Sequence, residues 1–447
     1  EHGSFAPLVH HEAAGGVRRE TPGVAPFAGM AGLLDGPAGA DPDRPALIVD
    51  DGSPGGTVVT YGGLRDLVDD WALALAAAGV GTGDRVLLAD RGGARSTAVT
   101  LAAVALGAAT AQMNPSLTEP EIRVLVDVGR CGPVAVTADD AAPATWAALG
   151  SVHGPTARVL GGPVGVDPGA PPARRVPDPS LDALVLFTSG TTGTPKAVPV
   201  TDSAVMARMQ AYRAPFDPAR PPGRSMMCVP SFHVGGMLGL LLNLFGGDTT
   251  VVMPRFDAGR WLELVDRHRV ASAFLVPTML ARVLDHPDAR PGGAADLSSL
   301  RVVAYGAAAA PVELVRRALQ RWPDVAFANV FGQTETLGAY TTLGPDDHRD
   351  PRRIGSVGRP LPGVDVRVVD PSTGADLTAD EVGELWVRTE QAVGGAVRAD
   401  GWFATGDLAR RDADGYLYPA GRMSETINRG GEKFGPAEVA DAVRTHP

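Results

Sequence analysis

One turn constrains this chain more than any other stretch. It reads Leu184-Val185-Leu186-Phe187, then Thr188-Ser189-Gly190-Thr191-Thr192-Gly193-Thr194-Pro195-Lys196, then Ala197-Val198-Pro199-Val200. An apolar run of strand length enters the turn and a second short β-like run leaves it. Between them stand five hydroxyl side chains, two glycines and a lysine, with no acidic residue. Glycines let backbone N–H groups turn inward, hydroxyls add donors, and the lysine adds a mobile positive charge, so the stretch makes a pocket for a polyanion. A surface hairpin also uses Gly, Ser and Thr, but it needs neither five hydroxyls nor a lysine after proline. The Walker loop is excluded, because it requires Gly-Lys-Ser/Thr leading into a helix. Here Pro195, which has no N–H to offer a phosphate, precedes Lys196, and a strand pattern follows. The dinucleotide fingerprint fails too, since Gly190 and Gly193 have the wrong spacing and no third glycine completes it.

A chain of 447 residues with 44% hydrophobic content can bury two or more cores. Its net charge of −11 argues against a nucleic-acid-binding surface. Cys131 and Cys228 are the only cysteines and lie far apart, which suggests two buried thiols in a reducing cytosol, without a disulfide framework or zinc site. Glu12, Arg18, Arg19 and Glu20 interrupt anything like a signal peptide, and the longest greasy stretch, Met237 to Phe245, is too short to cross a bilayer. A soluble, cytoplasmic protein with no membrane span is expected; its oligomeric state is open.

Along the chain, residues 1–45 read as a loosely packed lead-in. Strand-like runs follow at Ala46–Val49, Val58–Tyr61, Arg85–Ala89 and Val134–Thr137. Leu64, Leu67, Val68, Trp71 and Leu75 repeat at helical spacing, and Ala94–Leu106 is a small-residue helix. Thr118-Glu119-Pro120-Glu121 is a capping box. This alternation indicates a parallel sheet with crossover helices. Gly150 to Pro179 reads as a linker. A second α/β half has strands at Met226–Val229, Thr249–Met253, Ala271–Val276, Arg301–Tyr305 and Val325–Val330, and helices such as Arg260–Arg269 and Val312–Trp322. Beyond residue 355, Val364–Val369, Gly383–Arg388 and Tyr416–Tyr418 suggest a small antiparallel sheet or barrel. The expected fold class is α/β: one subdomain over 1–179, a second over 180–355, a small β-barrel over 356–421, and a hinge with the start of a further domain over 422–447. The chain stops at Thr445-His446-Pro447 inside a helical pattern.

Four more stretches carry chemistry. Gly332-Gln333-Thr334-Glu335 falls where a strand ends, the place where open α/β sheets hold ligands; a hydroxyl beside one carboxylate suits a phosphate with its magnesium, although Thr-Glu also starts helices. Gly401-Trp402-Phe403-Ala404-Thr405-Gly406-Asp407, followed by Gly421-Arg422, offers an aspartate able to accept from both ribose hydroxyls; Thr-Gly-Asp alone is equally a turn. Tyr305-Gly306-Ala307-Ala308-Ala309-Ala310-Pro311 ends a strand with small residues, leaving room for a flat ring or serving tight packing. His233, in Ser231-Phe232-His233-Val234-Gly235-Gly236, is on its own an ordinary core or surface histidine.

Taken together these motifs resemble the adenylate-forming superfamily of acyl- and aryl-CoA synthetases, peptide-synthetase adenylation domains and firefly-type luciferases. Thr-Ser-Gly-Thr-Thr-Gly-x-Pro-Lys is its phosphate loop, and the motifs follow in family order across residues 180–435. The resemblance implies that Thr188, Ser189, Gly190, Thr191, Thr192, Gly193 and Lys196 hold the pyrophosphate side of ATP. It implies that Thr334 touches the α-phosphate, that Glu335 holds Mg²⁺, that Asp407 and Arg422 hold the ribose, and that Gly306, Ala307, Ala308 and Gln333 line the adenine. Phe232 and His233 match the aromatic-His signature of CoA-forming members, where the histidine sits by the reacting carboxylate. Gly235, Gly306, Gly332 and Gly338 leave a roomy apolar pocket for a bulky hydrophobic acid. Met423-Ser424-Glu425 with Gly430-Gly431 resembles the hinge of a mobile C-terminal domain that binds coenzyme A and is largely absent from these 447 residues, along with its adenylating lysine.

The resemblance implies ATP-dependent adenylation of the acid, then thioester formation with coenzyme A; a carrier-protein thiol is the other acceptor. Two positions depart from the family pattern. Ala197 stands where glycine is usual, and a positive φ there would cost an alanine on the order of 1 kcal/mol. Asp202 stands where histidine is frequent and would bring negative charge toward ATP. Both motivate an alternative, a ligase that only transfers a preformed acyl-adenylate to CoA. A non-catalytic adenylate-binding protein is the third reading.

Overall fold

The computed structural model describes residues 29–138, 141–163, 178–189, 195–212, 217, 219, 221–290, 292–393, 397–425, 427–429 and 432–434. The chain divides into two compact units, Glu1–Val303 and Ala304–Pro447.

The first unit begins with α1 (Asp35–Ala40), β1 (Pro45–Val49) and β2 (Thr57–Thr60), followed by α2 (Tyr61–Ala77). Leu64, Val68, Trp71 and Leu75 of α2 are all buried, so the helical spacing in the sequence is the spacing of its core face. Thr60 caps it, its side chain accepting from Gly63 N at 3.1 Å. The chain continues through β3 (Arg85–Ala89), α3 (Ala94–Ala105), β4 (Ala109–Met113), α4 (Glu119–Val128), β5 (Val134–Thr137), α5 (Ala142–His153) and β6 (Arg158–Leu160). The predicted capping box opens α4, with Thr118 N donating to Glu121 Oε2 at 2.8 Å. Next come β7 (Asp182–Ser189), β8 (Pro195–Thr201), α6 (Asp202–Tyr212), β9 (Arg224–Met227), α7 (Val234–Phe245), β10 (Thr249–Val252), α8 (Ala258–His268), β11 (Ser272–Leu275) and α9 (Pro277–Asp285).

These strands form two sheets. One runs β6-β5-β3-β4-β7-β8, parallel except that β8 returns antiparallel to β7. The other orders its strands in this unit β11-β9-β10-β1-β2. Strands β4 and β5 are buried throughout, as in a parallel sheet covered on both faces. Each sheet has a point where neighbouring strands send their crossovers in opposite directions. In the first, β3 leads to β4 on one side while β5 leads to β6 on the other. In the second, β9 leads to β10, whereas the chain leaving β11 returns on its far side, where Arg301 N and Val302 N donate to Ala271 O. Ligands of open α/β sheets bind outside the strand carboxyl ends at such points. The supposed linker is partly structured: α5 reaches His153 and Arg158–Leu160 adds an edge strand to β5. Gly and Pro on both sides hid a strand this short.

In the second unit, β12 (Val302–Gly306) brings the chain in and is followed by α10 (Val312–Arg321), β13 (Ala326–Gln333), β14 (Gly338–Leu343), α11 (Pro345–His348) and β15 (Arg359–Pro360). Here β12 lies beside β13, and β14 runs antiparallel to both β13 and β15. Then β16 (Asp365–Val369), β17 (Gly383–Arg388), β18 (Phe403–Arg411) and β19 (Leu417–Arg422) form an antiparallel sheet in that order. Among the described residues its outer strands do not pair with each other, so the expected barrel is an open sheet. Its core gathers Tyr340, Val357, Val368, Leu385, Val387, Ala409 and Leu417. A last hairpin joins β20 (Ile427–Arg429) to β21 (Glu432–Phe434).

Candidate active site

The strands on either side of the phosphate-loop stretch, β7 and β8, pair antiparallel. Thr188 stands opposite Lys196 and Ser189 opposite Pro195 across β7 and β8, and Lys196 is exposed. Gly190, Thr191, Thr192, Gly193 and Thr194 lie outside the described residues. Strand β7 pairs with β4 through Thr110–Leu184 and Ala111–Val185, so both flanking strands belong to the first sheet.

Both departures from the family pattern have ordinary places. Ala197 pairs with Phe187 in regular strand and is not among the positive-φ residues, so the expected strain is absent. The Asp202 side chain is buried, and its Oδ1 accepts from Met30 N at 2.9 Å. Its backbone N donates to Leu181 O at 3.0 Å at the start of α6. A Cβ on Gly29 would come within 2.2 Å of Asp202 Oδ2, so the lead-in backbone lies against this carboxyl. Burial pushes its pKa up, with the Met30 bond pulling the other way. Asp202 therefore clasps the lead-in backbone.

The His233 loop follows β9, at the switch point of the second sheet. His233 is the N-cap of α7 and makes no side-chain cap bond. Its ring lies 4.6 Å from that of Phe232, tilted by 55°. His233 is exposed, yet enough protein surrounds its ring that desolvation lowers its pKa. Gly235 and Gly236 differ. A Cβ on Gly236 would meet Pro230 O at 2.1 Å, so that glycine lets α7 close on its own approach loop. At Gly235 the nearest atom to such a Cβ is Cε1 of the half-buried Phe274, at 3.7 Å, an ordinary van der Waals distance.

The second unit collects the other motifs. At the end of β13, Thr334–Thr336 forms one 3₁₀ turn. Buried Thr336 braces it, its Oγ1 accepting from Gln333 N at 3.2 Å and lying 2.8 Å from Gly338 O. Thr334 and Glu335 are half-buried, and Glu335 O accepts from Val393 N at 2.8 Å. The Gln333 Nε2 is buried with no hydrogen-bond partner. Gly332 and Gly306 are filled by neighbouring backbone: a Cβ would meet Gly338 O at 2.0 Å in the first case and Val330 O at 2.1 Å in the second. Gly338 itself takes a left-handed φ of +88°. Beyond Gly306, Ala307 holds φ +64° and, with Ala308, is exposed. A left-handed alanine costs on the order of 1 kcal/mol, and such strain gathers at binding sites.

Asp407 and Arg422 are cross-strand partners in β18 and β19, with Arg422 Nε 2.9 Å from Asp407 Oδ1. Gly406, in the left-handed region at φ +73°, and a register shift at Leu408/Ala409 bend β18 here. Asp407 N donates to Thr405 Oγ1 at 3.0 Å, and that hydroxyl donates to Leu385 O at 2.7 Å. Burial raises the Asp407 pKa; Arg422 opposes this, while Glu425 and Glu335 push further upward. The Thr334–Glu335 turn and the Asp407–Arg422 pair are thus close enough to feel each other's charge. Glu425 is exposed in a 3₁₀ turn over Met423–Glu425, and Gly430 and Gly431 lie outside the described residues.

Among the described residues no group of three or more His, Cys, Asp or Glu is placed to hold a metal. A lone carboxylate beside a hydroxyl still fits magnesium, which keeps waters and takes most of its remaining ligands from substrate phosphates. No helix among the described residues is long and apolar enough to cross a membrane.

Sequence reasoning missed Tyr340 and the Tyr305–His348 pair. The buried Tyr340 phenol has its pKa driven well up by burial and by Asp407. His348 Nδ1 is 2.7 Å from Gly344 O and its Nε2 is 2.9 Å from Tyr305 Oη. A carbonyl only accepts, so Nδ1 carries the proton and Tyr305 donates to Nε2. No short-range pattern marks partners 43 residues apart.

An AMP-binding enzyme family model matches residues 34–395, and the chain belongs to that family. The chain is 35% identical over 302 residues to the medium/long-chain-fatty-acid–CoA ligase FadD8 of Mycobacterium tuberculosis, covering 64% of this chain and 51% of that protein. It spans about half the length of such curated relatives. Among solved structures, the amide bond synthetase McbA of Marinactinospora thermotolerans superposes with TM-score 0.80 at 28% identity, over 94% of this chain and 84% of that one. The O-succinylbenzoate coenzyme A synthetase MenE of Bacillus subtilis, in complex with ATP and magnesium ion, gives 0.78 at 25% identity, over 93% and 84%.

Proposed function

We propose that this chain is the nucleotide- and acid-binding part of an acyl-CoA synthetase, an acid–thiol ligase that forms AMP. The observation that carries this reading is the gathering of the Thr334–Glu335 turn and the Asp407–Arg422 pair within electrostatic reach, at positions the family motifs assign to phosphate, metal and ribose.

In this reading Asp407 and Arg422 hold the ribose, Gly306, Ala307, Ala308 and Gln333 line the adenine, and Thr334 orients the α-phosphate. Lys196 and the hydroxyls of the β7–β8 hairpin, from Thr188 onward, cradle the β- and γ-phosphates. A magnesium ion at Glu335 would supply charge neutralisation on the departing pyrophosphate. The acid lies by His233 and Phe232, with its apolar body over Gly235 beside Phe274. Its carboxylate attacks the α-phosphorus in line, the bond to pyrophosphate breaks, and an acyl-adenylate results. Positioning and charge stabilisation carry this step; no protein nucleophile is needed. A neutral His233, favoured by its lowered pKa, can hydrogen-bond to the carboxylate without neutralising it.

Coenzyme A as acceptor is supported by the CoA ligase FadD8 and the coenzyme A synthetase MenE among the similar proteins. A carrier-protein thiol is the competing acceptor, and a hinge at Glu425 with Gly430 and Gly431 would bring the thiol-binding domain into place. The reading in which the protein only transfers a preformed acyl-adenylate loses its two motivating residues, because Ala197 is unstrained and Asp202 is turned into the protein. The test incubates the full-length protein with ATP, magnesium, coenzyme A and a panel of aryl and medium-chain acids, and follows AMP and acyl-CoA by mass spectrometry. AMP and thioester in equal amounts with at least one hydrophobic acid are expected. Thioester from synthetic acyl-adenylate alone, with none from ATP, would favour the transferase instead.

A further inference from the structure

The two halves of the reacting centre in the first unit come from different sheets. The phosphate hairpin extends the first sheet through β4, whereas the His233 loop extends the second through β9. In-line attack needs the carboxylate beside His233 and the phosphates beside Lys196 to keep one register, and a misplacement of about 1 Å can cost about a hundredfold in rate.

We propose that the loop Asp90-Arg91-Gly92-Gly93 is the strut that sets this register. This rests on the proposed function above. The loop leaves β3 at the switch point of the first sheet and makes two connections. Its backbone reaches the second sheet: Ser231 N, two residues before His233, donates to Arg91 O at 3.0 Å. Its side chain reaches back to the first: Arg91 Nη2 donates to Ser116 Oγ at 2.5 Å, just beyond β4, the strand paired with the hairpin strand β7. Its own shape is held by Asp90, whose Oδ1 accepts from Gly92 N at 2.9 Å. Gly92 and Gly93 both hold φ +128°, which L side chains rarely adopt. A Cβ on Gly92 would lie 3.6 Å from Ser231 Cβ, so the loop touches Ser231 as well as bonding to it. A continuous path thus runs from the hairpin through β4, Ser116 and Arg91 to Ser231 and His233. Arg91, Gly92 and Asp90 are positioning residues; none of them is asked to touch substrate.

Asp90→Ala removes the acceptor that shapes the loop, and Asp90→Asn restores one. With wild type active in acid-dependent pyrophosphate–ATP exchange, Asp90→Ala should lower kcat for exchange tenfold to a hundredfold, leave the ATP KM within about twofold, and be rescued by Asp90→Asn. Affinity for a stable acyl-sulfamoyl adenosine should stay within about threefold of wild type, because acid and nucleotide are already joined in that probe. A purely structural role would instead lower melting temperature, ATP affinity and probe affinity together. That outcome overturns the proposal, as does unchanged exchange. Independently of turnover, the Ser231 amide should exchange its hydrogen about tenfold faster in Asp90→Ala and at the wild-type rate in Asp90→Asn. Equal rates in all three would overturn the strut even if wild type activates no acid tried, an outcome that counts separately against the proposed function.

Discussion

Lowering the pH should loosen the second unit through His348, by an amount that follows from its surroundings. The side chain is buried against Tyr305 and Gly344, and burial draws its pKa from the ordinary 6.5 down to about 4. In the unfolded chain His348 takes up a proton near 6.5, while the folded protein resists until about 4. Unfolded protein therefore binds more protons across this window, so stability is fully present above about pH 6.5 and is lost as pH falls toward 4. A difference of about 2.5 pKa units amounts to about 3 kcal/mol in full, of which about 2 kcal/mol is gone by pH 5. The perturbation is His348→Gln, which cannot titrate, and the assay is urea unfolding of both proteins between pH 7.5 and 4.5. Other groups titrate in both, so the readout is the difference in slope. Wild type should lose about 2 kcal/mol more than the variant by pH 5. Parallel pH profiles would refute the reasoning, and so would a wild-type His348 ring titrating near 6.5 by NMR. Tyr305 directly precedes Gly306, so this pair also braces the strand end proposed to face adenine.

Three further outcomes follow from particular contacts. Asp202→Ala should leave pyrophosphate exchange within about twofold of wild type while lowering stability by about 1–3 kcal/mol, because Met30 N loses its acceptor; a large loss of exchange at unchanged melting temperature would return Asp202 to the phosphate site. Gly306→Ala forces a Cβ to within 2.1 Å of Val330 O; thermal unfolding should show a cost of about 1–3 kcal/mol, and an unshifted melting temperature would contradict the close strand approach. Asp407→Ala should weaken AMP binding tenfold or more by calorimetry, the worth of one or more charge-assisted bonds at about 1.5–3 kcal/mol each. In wild type, AMP affinity should begin to fall at a pH above the ordinary aspartate value of 3.8, since burial raises the Asp407 pKa; a midpoint at or below 3.8 would go against that.

Local patterns made the parallel α/β core readable. Helix α2 announces itself by Leu64, Val68, Trp71 and Leu75, and α4 by its capping box, because period and cap chemistry are short-range properties. The Thr334–Glu335 turn was equally visible at the end of a strand. Asp407 was harder: Thr-Gly-Asp reads as a turn, yet Phe403–Arg411 is one bent strand that carries Gly406 at positive φ. The glycines misled in a different way. Absent side chains at Gly306 and Gly332 suggested room, but carbonyls of neighbouring backbone occupy it, whereas a Cβ on Gly235 would meet only Phe274 Cε1, at 3.7 Å. Asp202 was judged by its sequence distance from Lys196, whereas its partner is Met30, 172 residues away. Long-range partners such as these, and the Arg91–Ser231 bond, have no signature in a single sequence because they depend on how sheets meet.

Acid-dependent exchange of labelled pyrophosphate into ATP by the full-length protein tests the proposed activation of a carboxylic acid most directly. Exchange should need magnesium and a hydrophobic acid and fall at least tenfold in Lys196→Ala and in Glu335→Gln. Absence of exchange with every acid in a broad panel, from protein that still binds AMP, would contradict it.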